Sequence, residues 1–410
     1  PRSESPQKIR NEIKNGIKNK NFLEIPERKK AIFKSINNLC TGDIAIIAGK
    51  GHEKVQEYIG KKKYFSDRKE ILKSINKKNK LLFKNLKLNI IQEQTNVLSK
   101  NIKINKACID SKQIKKNDIF FAIKGKNNDG NKFVDHAFKR KASLAIVNKI
   151  CKKNNITRQI KIKDSLKFLT KSSKIFRENI HTKIIAITGS CGKTTVKDLL
   201  GSSLRKISKV SISPRSYNNK YGVPLSLFNL NQNDIYGVLE LGMDKKGEID
   251  HLSRIVQPDV SIITNISYAH AKNFNNLKQI ALAKSEIINN TRDNGFIILN
   301  ADDNFFSLHK RIANKKTLKI LSFGIKNKDS DIKLINIQKV GKKFRANIRI
   351  KNLKTYFIIS NNFQNNIMNI LTSLTVMSIF FDISKISKNI FANFKAPNGR
   401  GDASKIKIKN

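Results

Sequence analysis

One stretch, Ile184 to Val196, limits the possible folds of this chain more than any other: Ile-Ile-Ala-Ile-Thr-Gly-Ser-Cys-Gly-Lys-Thr-Thr-Val. Its first four residues are apolar and predict a buried parallel strand, and a helical pattern resumes at Thr195. Between them, Gly189 and Gly192 predict a loop. A strand, a glycine loop, a Lys-Thr pair and a helix are typical of a turn that binds phosphate through backbone N–H groups and the helix N-terminus. We therefore predict a nucleotide-binding α/β domain.

The residues of this loop have distinct predicted roles. Lys193 would neutralise the β- and γ-phosphates, and the Thr194 hydroxyl would bind Mg²⁺. The predicted nucleotide-binding residues are Gly189, Ser190, Gly192, Lys193, Thr194 and Thr195. The usual loop is G-x-x-x-x-G-K-[ST], and Ile187 stands where its first glycine would be, so the match is to a shorter form. The alternative is an ordinary turn with a surface lysine, but the coincidence of strand, glycines, Lys, Thr and helix favours a nucleotide site.

Composition excludes some classes of protein and leaves others open. The chain has 82 Lys and Arg against 31 Asp and Glu, a net charge of +51. Such an excess is common in nucleic-acid-binding proteins, whose binding would be tight and strongly salt-dependent. The lysines are spread among Ile and Asn along the whole chain, so a compositional bias is the simpler interpretation, and we predict no specific nucleic-acid partner.

Other sequence features bear on the cellular setting. No run of 18 apolar residues is present, which predicts no membrane span, and no apolar stretch follows the N-terminus, which predicts no secretory signal. The four cysteines form no C-x-x-C pair, so neither a zinc site nor a disulfide framework is expected: Cys40, Cys108, Cys151 and Cys191. A reducing cytoplasm is the predicted location.

The remaining sequence alternates between helical and strand patterns, which predicts an α/β fold with a doubly wound parallel sheet and smaller flanking α/β domains. Helices are predicted over 7–17 and 28–39, followed by a buried strand at Asp43–Ala48 that leads into Gly49-Lys-Gly-His-Glu53. The polar segment 76–80 predicts a linker. Strands and helices then alternate through 107–147 and again from 183 to about 395, ending in a mostly apolar helix over 365–380.

Polar residues follow three of the predicted strands of the central domain. Glu240, His270 and Asn300 all come at or after strand ends, and parallel sheets bind ligands at the carboxyl ends of their strands. A carboxylate such as Glu240 suits Mg²⁺, which prefers oxygen ligands. Residue spacing alone leaves His270 as an ordinary hydrogen-bonded histidine and Lys284 as a surface lysine.

Several motifs together resemble the ATP-dependent Mur ligases of peptidoglycan synthesis, and the match extends over nearly the whole chain. Residues 1–75 resemble the C-terminal domain of the member that adds the third peptide residue, through Pro1-Arg-Ser-Glu4 and Gly49-Lys-Gly-His-Glu53. Residues 76–410 resemble the member that adds D-alanyl-D-alanine. The segments that carry this second resemblance begin at Asp110-Ser-Lys, Asn128-Asp-Gly, Thr188-Gly-Ser-Cys-Gly-Lys-Thr-Thr, Asn218-Asn-Lys-Tyr-Gly, Glu240-Leu-Gly, Gly247-Glu-Ile, Asn265-Ile-Ser-Tyr-Ala-His, Ala283-Lys-Ser-Glu-Ile and Asn300-Ala-Asp-Asp.

The resemblance implies specific site residues. Thr194 and Glu240 would bind one Mg²⁺, while His270 would bind a second, bridged by a carbamylated Lys284. Asn300 would face the adenine of ATP. The UDP-MurNAc-tripeptide substrate would contact Asp110, Ser111, Asn218 and Asn219, and Arg2, Gly49 and Glu53 would belong to the amino-acid site of the first ligase. Lys193, Lys284 and His270 are the catalytic residues that the family pattern implies.

Two departures from the family pattern are evident. The G-x-H-N-x-x-N segment near the adenine site appears as Phe363-Gln-Asn-Asn-Ile-Met-Asn369, and Lys112 replaces the arginine of a D-S-R motif. Phe394-Lys-Ala-Pro-Asn-Gly-Arg400 resembles the passage into the C-terminal domain, which would receive D-Ala-D-Ala, and the sequence stops at Asn410.

From these resemblances we expect part of a fusion of two Mur ligases. The expected domains are 1–75, a linker at 76–80, an N-terminal UDP-sugar domain at 81–178, an ATP-binding domain at 179–398 and the start of a C-terminal domain at 399–410. The expected activity is ATP-driven addition of D-Ala-D-Ala to UDP-MurNAc-tripeptide through an acyl phosphate, by a monomer. The alternatives are a catalytically silent fragment and a ligase similar to folylpolyglutamate synthases, which would lack the pattern at 107–130.

Overall fold

The computed structural model describes the chain outside residues 1–4, 18–21, 40–43, 50–54, 59–60, 96–101, 126, 152–154, 215–216, 269–272, 361–365 and 395–410. The chain divides into two compact units, residues 1–86 and 87–410. In the described part of the chain, no helix is both long and apolar enough to cross a membrane.

The first unit contains the helices α1 (Pro6–Gly16) and α2 (Arg28–Asn38), as the sequence predicts. The strands β1 (Val55–Tyr58) and β2 (Lys61–Tyr64) form an antiparallel hairpin. The long helix α3 (Asp67–Thr95) begins in this unit, where the Arg28 guanidinium donates hydrogen bonds to both carboxylate oxygens of Asp67 at 2.9 and 2.7 Å.

Two predictions for this region are wrong. The described residues of Asp43–Ala48 form no strand, and the side chains of Ile44 and Ile46 are 88% and 86% exposed. A strand needs a neighbour to pair its backbone groups, and no described strand pairs with this segment. The predicted linker at 76–80 lies inside α3, because its lysines favour helix and neither glycine nor proline interrupts them.

The second unit begins within α3 and contains a small sheet of four parallel strands in the order β3-β4-β5-β6. These strands and the helices beside them are β3 (Ala107–Cys108), β4 (Ile119–Phe121), α4 (Val134–Lys139), β5 (Leu144–Val147), β6 (Gln159–Lys161) and α5 (Ser165–Glu178). Apolar side chains of β4, α4 and β5 form its core. This arrangement agrees with the strands and the helix predicted for 107–147.

A sheet of nine strands forms the larger part of the second unit. Its elements follow in chain order: β7 (Lys183–Thr188), α6 (Lys193–Leu204), β8 (Val210–Ile212), α7 (Gly222–Phe228), β9 (Tyr236–Glu240), α8 (Glu248–Val256), β10 (Val260–Ile263), α9 (Leu277–Asn289), β11 (Phe296–Asn300), α10 (Phe306–Lys315), β12 (Lys319–Gly324), β13 (Ile332–Val340), β14 (Lys343–Ile350), β15 (Leu353–Ser360) and α11 (Ile367–Phe380). The strand order is β15-β14-β13-β12-β11-β10-β7-β9-β8.

The strands from β8 to β13 in this order are parallel, whereas β14 is antiparallel to both β13 and β15. Side chains of α6 and α11 and of the sheet form one apolar core. The order changes direction at β7, with β9 on one side and β10 on the other. The carboxyl ends of these three strands therefore surround the loop between β7 and α6, which is where open α/β sheets bind ligands.

Candidate active site

The loop between β7 and α6 has the backbone conformation that its glycines allow. Gly189 has a φ of +144° and Gly192 a φ of +82°, both in the region that favours glycine. A Cβ at position 189 would lie 1.9 Å from Thr264 Oγ1, so no larger residue fits without displacing that side chain. The helix α6 begins at Lys193, directly after this loop, so its N-terminus points into the predicted phosphate site.

Residues that follow β10 brace the loop from the side. The backbone N–H of Cys191 donates to Asn265 Oδ1 at 2.9 Å, and Thr264 Oγ1 donates to the Cys191 carbonyl at 2.7 Å. Ser190 Oγ donates to the Ser267 carbonyl at 2.9 Å. These bonds fix the loop without using Lys193. No sequence pattern indicated this bracing, because Thr264 and Asn265 are distant in sequence from the loop.

Lys193 is bonded to its own loop in this structure. Its Nζ donates to the carbonyl oxygens of Gly189 at 2.7 Å and of Ser190 at 3.0 Å. The cation is therefore already located over the loop, where the phosphates of a bound nucleotide would lie.

The predicted metal-binding pair comes together at the base of this loop. Thr194 Oγ1 donates to Glu240 Oε2 at 2.7 Å, and Asn218 Nδ2 donates to Glu240 Oε1 at 2.8 Å. The Glu240 side chain ends β9 and is 3% exposed. A hydroxyl and a carboxylate are the kind of oxygen ligands that Mg²⁺ prefers. The chemistry of this pair fits Mg²⁺, although no cluster of three His, Cys, Asp or Glu suited to a metal exists among the described residues, so phosphate and water oxygens would have to complete the coordination.

A cavity of about 850 Å³ opens beside this pair. The predicted site residues that line it are Ser190, Gly192, Lys193, Thr195, Asn218, Asn219 and Glu240. It continues away from the loop along the first turns of α8, where Met243 and Leu252 form a buried apolar floor beside Tyr221 and His251. The cavity is therefore larger than a triphosphate site requires, and the sequence patterns did not predict the residues of its far end.

Lys284, on α9, is not a surface lysine. It is 1% exposed and lies on the buried face of that helix. Burial, and secondarily the positive charge of Lys193, lower the pKa of Lys284 to about 7. A large fraction of this amine is therefore neutral near neutral pH and available as a nucleophile.

The remaining predicted site residues lie elsewhere or are engaged in local bonds. Asn300 does not line the cavity, and its Oδ1 accepts from the Asp302 backbone N–H at 3.0 Å. Asp110 accepts from the Lys112 N–H at 2.9 Å, and Ser111 Oγ lies 3.0 Å from His136 Nδ1. Gly49 is in the first unit with a φ of +100°. Arg2, Glu53 and His270 lie outside the described residues.

Two asparagines at the start of α11 belong to the segment that matches the G-x-H-N-x-x-N pattern only in part. Asn366 lines the cavity, and Asn369 Nδ2 donates to Asn366 Oδ1 at 3.1 Å. A Cβ at Gly192 would lie 2.8 Å from Asn369 Oδ1. The end of the Phe363–Asn369 segment therefore reaches the glycine loop even though the glycine and histidine of the family pattern are missing.

The comparison with known proteins agrees with this geometry. Residues 187–377 match the Mur ligase middle domain. The chain is 34% identical to the UDP-N-acetylmuramoyl-tripeptide–D-alanyl-D-alanine ligase of Rickettsia prowazekii over 75% of this chain and 68% of that protein. It is 34% identical to the ligase of the same name from Buchnera aphidicola subsp. Baizongia pistaciae over 68% of this chain. It spans 60% of the length of that second relative.

Solved structures show the same fold. MurF from Acinetobacter baumannii superposes with a TM-score of 0.67 at 27% identity, covering 76% of this chain and 69% of that one. MurF ligase from Thermotoga maritima, solved in complex with ADP, gives a TM-score of 0.63 at 26% identity, covering 74% and 69%. The predicted α/β fold is confirmed by these structures, and the chain belongs to the Mur ligase family.

Proposed function

We propose that this chain is part of an ATP-dependent ligase that joins D-Ala-D-Ala to UDP-MurNAc-tripeptide. The observation that carries the proposal is the buried Thr194–Glu240 pair at the base of a glycine loop that also presents Lys193. The names of the relatives, and the ADP in the Thermotoga maritima structure, support the substrates and the nucleotide. A cytoplasmic location, a monomeric state and the absence of a specific nucleic-acid partner stay predictions.

The proposed reaction has two steps. A carboxylate oxygen of the tripeptide attacks the γ-phosphorus of ATP, the bond to the bridging oxygen breaks, and an acyl phosphate and ADP result. The amine of D-Ala-D-Ala then attacks the acyl carbon, loses a proton and displaces phosphate to form the amide. Both steps bring anions together, so charge neutralisation and alignment are the main contributions that a protein can make.

The residues of the glycine loop would supply that neutralisation. Lys193 would exchange its bonds to the Gly189 and Ser190 carbonyls for phosphate oxygens, and the loop N–H groups would add further donors. Thr194 and Glu240 would bind Mg²⁺, which supplies Lewis-acid stabilisation of the phosphate charge when bound. Asn300 would contact the adenine, after giving up part of its local bonding.

Lys284 supports the proposal of a carbamylated lysine. A carbamate forms when a neutral amine attacks CO₂ and releases a proton, and the pKa of about 7 makes the neutral form abundant. The resulting anion would face the charge of Lys193 and, together with His270, would bind a second Mg²⁺. Without the carbamate, the two cations repel each other.

The proposal also assigns roles to the small sheet and to the first unit. Asp110 and Ser111 would bind the UDP-sugar from the small sheet, and residues 1–75 would derive from the C-terminal domain of a ligase that adds the third residue. In that domain, Arg2, Gly49 and Glu53 would contact the incoming amino acid. The fold of the first unit supports this assignment only in its helices, since the described residues of Asp43–Ala48 do not form the expected strand.

Trapping of the acyl phosphate tests the proposed function. The 410-residue chain is incubated with Mg²⁺, ATP and UDP-MurNAc-tripeptide, treated with borohydride, and the reduced peptide alcohol is measured by mass spectrometry. We expect the alcohol only when ATP and tripeptide are both present, and none from Lys193→Ala. Lys209→Ala, which changes an exposed lysine before β8, is the matched control and should retain the product. Unchanged yield from Lys193→Ala would contradict the role of that lysine, and failure to bind ATP at all would contradict the proposed function.

A further inference from the structure

The turn before α7 contains two adjacent asparagines whose side chains have different hydrogen-bond partners. Asn218 Nδ2 donates to Glu240 Oε1 at 2.8 Å, whereas Asn219 Oδ1 accepts from the backbone N–H groups of Tyr221 and Gly222 at 3.1 and 3.0 Å. We propose that Asn218 is a positioning residue, which holds the Glu240 carboxylate in the orientation that binds a divalent cation. This inference rests on the proposed function, since it concerns the same cation site.

The bonding of Glu240 shows which of its oxygens is left for a cation. Oε1 is bonded to the Asn218 amide, and Oε2 lies 2.7 Å from Thr194 Oγ1 at the start of α6. With Oε1 occupied by an amide donor, rotation of the carboxylate is restricted and Oε2 stays directed at the glycine loop. The threonine hydroxyl and Oε2 then form the pair of oxygens that a cation can share.

The position of Asn218 is itself fixed by the segment that follows Glu240. The backbone N–H of Gly242 donates to the Asn218 carbonyl at 2.7 Å. A Cβ at position 242 would lie 3.0 Å from Asn218 Cγ and 3.1 Å from its Nδ2. Gly242 therefore leaves the space that the asparagine amide occupies beside Glu240. A glycine is therefore needed at this position of the Glu-Leu-Gly segment, because a side chain would crowd the amide that bonds the Glu240 carboxylate.

The other residues of the turn position the backbone of Asn218. Asn219 Oδ1 accepts from the N–H groups of Tyr221 and Gly222, which fixes the turn against the start of α7. A Cβ at Gly222 would lie 2.3 Å from Tyr217 Cα, so the chain can close the turn only with glycine. The residues of the pattern Asn218-Asn-x-x-Gly222 thus hold Glu240 in place without themselves binding the cation. Residues that orient a metal ligand in this way commonly change metal affinity.

Cation dependence of nucleotide binding tests this inference. Binding of a fluorescent, non-hydrolysable ATP analogue is measured while Mg²⁺ or Mn²⁺ is titrated, and the cation concentration at half-saturation is compared. For Asn218→Ala we expect this concentration to rise about tenfold or more, with nucleotide affinity at saturating cation changed much less. Gly242→Ala, which crowds the amide and removes no polar group, should shift it in the same direction by a smaller factor. If Asn218→Ala does not fold, Gly242→Ala alone tests the inference.

Two controls separate positioning from a purely structural role. In a Glu240→Gln background, Asn218→Ala should produce no further rise, because the asparagine acts through the carboxylate. Asn229→Ala, directly after α7 and outside the cavity lining, removes two hydrogen bonds to the backbone of Ala107. It should lower the thermal midpoint while leaving the half-saturation concentration within about twofold.

The outcomes distinguish this inference from the proposed function. If wild-type chain binds the nucleotide only with a divalent cation and Asn218→Ala has the wild-type requirement, positioning by Asn218 is overturned and the proposed function stands. If Asn218→Ala and Asn229→Ala lower stability alike and neither changes the cation requirement, the bond to Glu240 is structural only. A wild-type chain that binds the nucleotide equally well without a cation would contradict the cation site of the proposed function.

Discussion

At the scale of single residues, the buried Lys284 makes the stability of the chain depend on pH. Its pKa in the folded chain is about 7, below the value near 10.4 of an unfolded lysine, so the unfolded chain binds more protons at every pH between them. Stability therefore rises with pH across this window, and the cost of burying the charged form is greatest below pH 7.

A Lys284→Met variant should lose this pH dependence, since methionine fills similar space without a charge. Between pH 7 and 9 in CO₂-free buffer, we expect the wild-type chain to gain about 2 kcal/mol in free energy of unfolding relative to the variant. Urea denaturation at both pH values measures the difference. Parallel behaviour of the two proteins would show that Lys284 is not buried with a lowered pKa.

Lys284 also has a predicted role in activity. Lys284→Ala should lower formation of the acyl phosphate, and short carboxylates such as formate or acetate should partly restore it by replacing the carbamate. The matched comparison is the wild-type chain, whose activity these anions should not raise. Full activity of Lys284→Ala without any added carboxylate would remove the proposed role of the carbamate.

Cys191 provides a chemical probe of the same loop. Its side chain is exposed at the cavity, whereas Cys108 and Cys151 are half-buried and burial raises the pKa of the Cys108 thiol. We predict that N-ethylmaleimide labels Cys191 faster than Cys108 or Cys151, and that a bound ATP analogue with Mg²⁺ slows this labelling. Peptide mass spectrometry assigns the label, and Cys191→Ala identifies its signal. Labelling of Cys191 at the same rate with and without saturating nucleotide would contradict the position of the nucleotide.

At the scale of elements, the β7–loop–α6 unit depends on a glycine for two separate reasons. Gly189 has a positive φ, and it also has no space for a Cβ because Thr264 Oγ1 would lie 1.9 Å away. Gly247, before α8, shares the positive φ, at +86°, but has no atom within 4 Å of a built Cβ. The two positions therefore separate backbone strain from steric exclusion.

We predict that Gly247→Ala costs about 1–2 kcal/mol, the strain of a left-handed backbone alone. Gly189→Ala should cost clearly more, about 3 kcal/mol or above, because Thr264 must also move and its bond to the Cys191 carbonyl is lost. Urea denaturation of the two variants gives both values. Equal losses would mean that the loop adapts to a side chain at position 189.

Elements that a single strong pattern defines were predicted well. The predicted strands at Leu144–Val147 and Tyr236–Glu240 coincide with β5 and β9, because fully buried apolar runs have few alternative structures. The strands β13 to β15 were not predicted, although β14 and β15 alternate between buried and partly exposed positions. The segment Asp43–Ala48 shows the opposite error, since an apolar run does not establish that a neighbouring strand is present.

At the scale of the whole molecule, some contacts of the candidate site could be predicted from the sequence and others could not. The pairing of Thr194 with Glu240 could be expected, because the strands that precede them are neighbours in a parallel sheet. The bracing of the loop by Thr264 and Asn265 could not, because it depends on side-chain directions that no local pattern specifies. The burial of Lys284 was likewise hidden among 82 basic residues, and only the resemblance to a family drew attention to it.

The larger unit also depends on one buried cation that joins several of its elements. Arg177, at the end of α5, is 0% exposed and donates to Asp259 Oδ2 at 2.7 Å, to the Val256 carbonyl at 2.8 Å and to the Thr182 carbonyl at 3.2 Å. Asp259 Oδ2 also accepts from the Ile184 backbone N–H at 2.8 Å. The guanidinium thus connects α5 with the end of α8 and with the residues directly before β7 and β10.

Arg177→Met should destabilise the larger unit by about 3–5 kcal/mol, because it removes the buried guanidinium that the Asp259 carboxylate and the carbonyl groups share as a donor. Burial lowers the pKa of Arg177 to about 10, so the arginine stays charged at neutral pH and no deprotonation relieves the pair. Arg254→Met is the control, since this exposed arginine pairs with Asp250 one turn away on α8 and should change stability by less than about 0.5 kcal/mol. Because Ile184 lies near the start of β7, the strand that leads into the glycine loop, nucleotide affinity should also fall in Arg177→Met and remain in Arg254→Met. Equal stability of the two variants in urea denaturation would mean that the packing of α5 against the sheet, and not this cation, joins these elements.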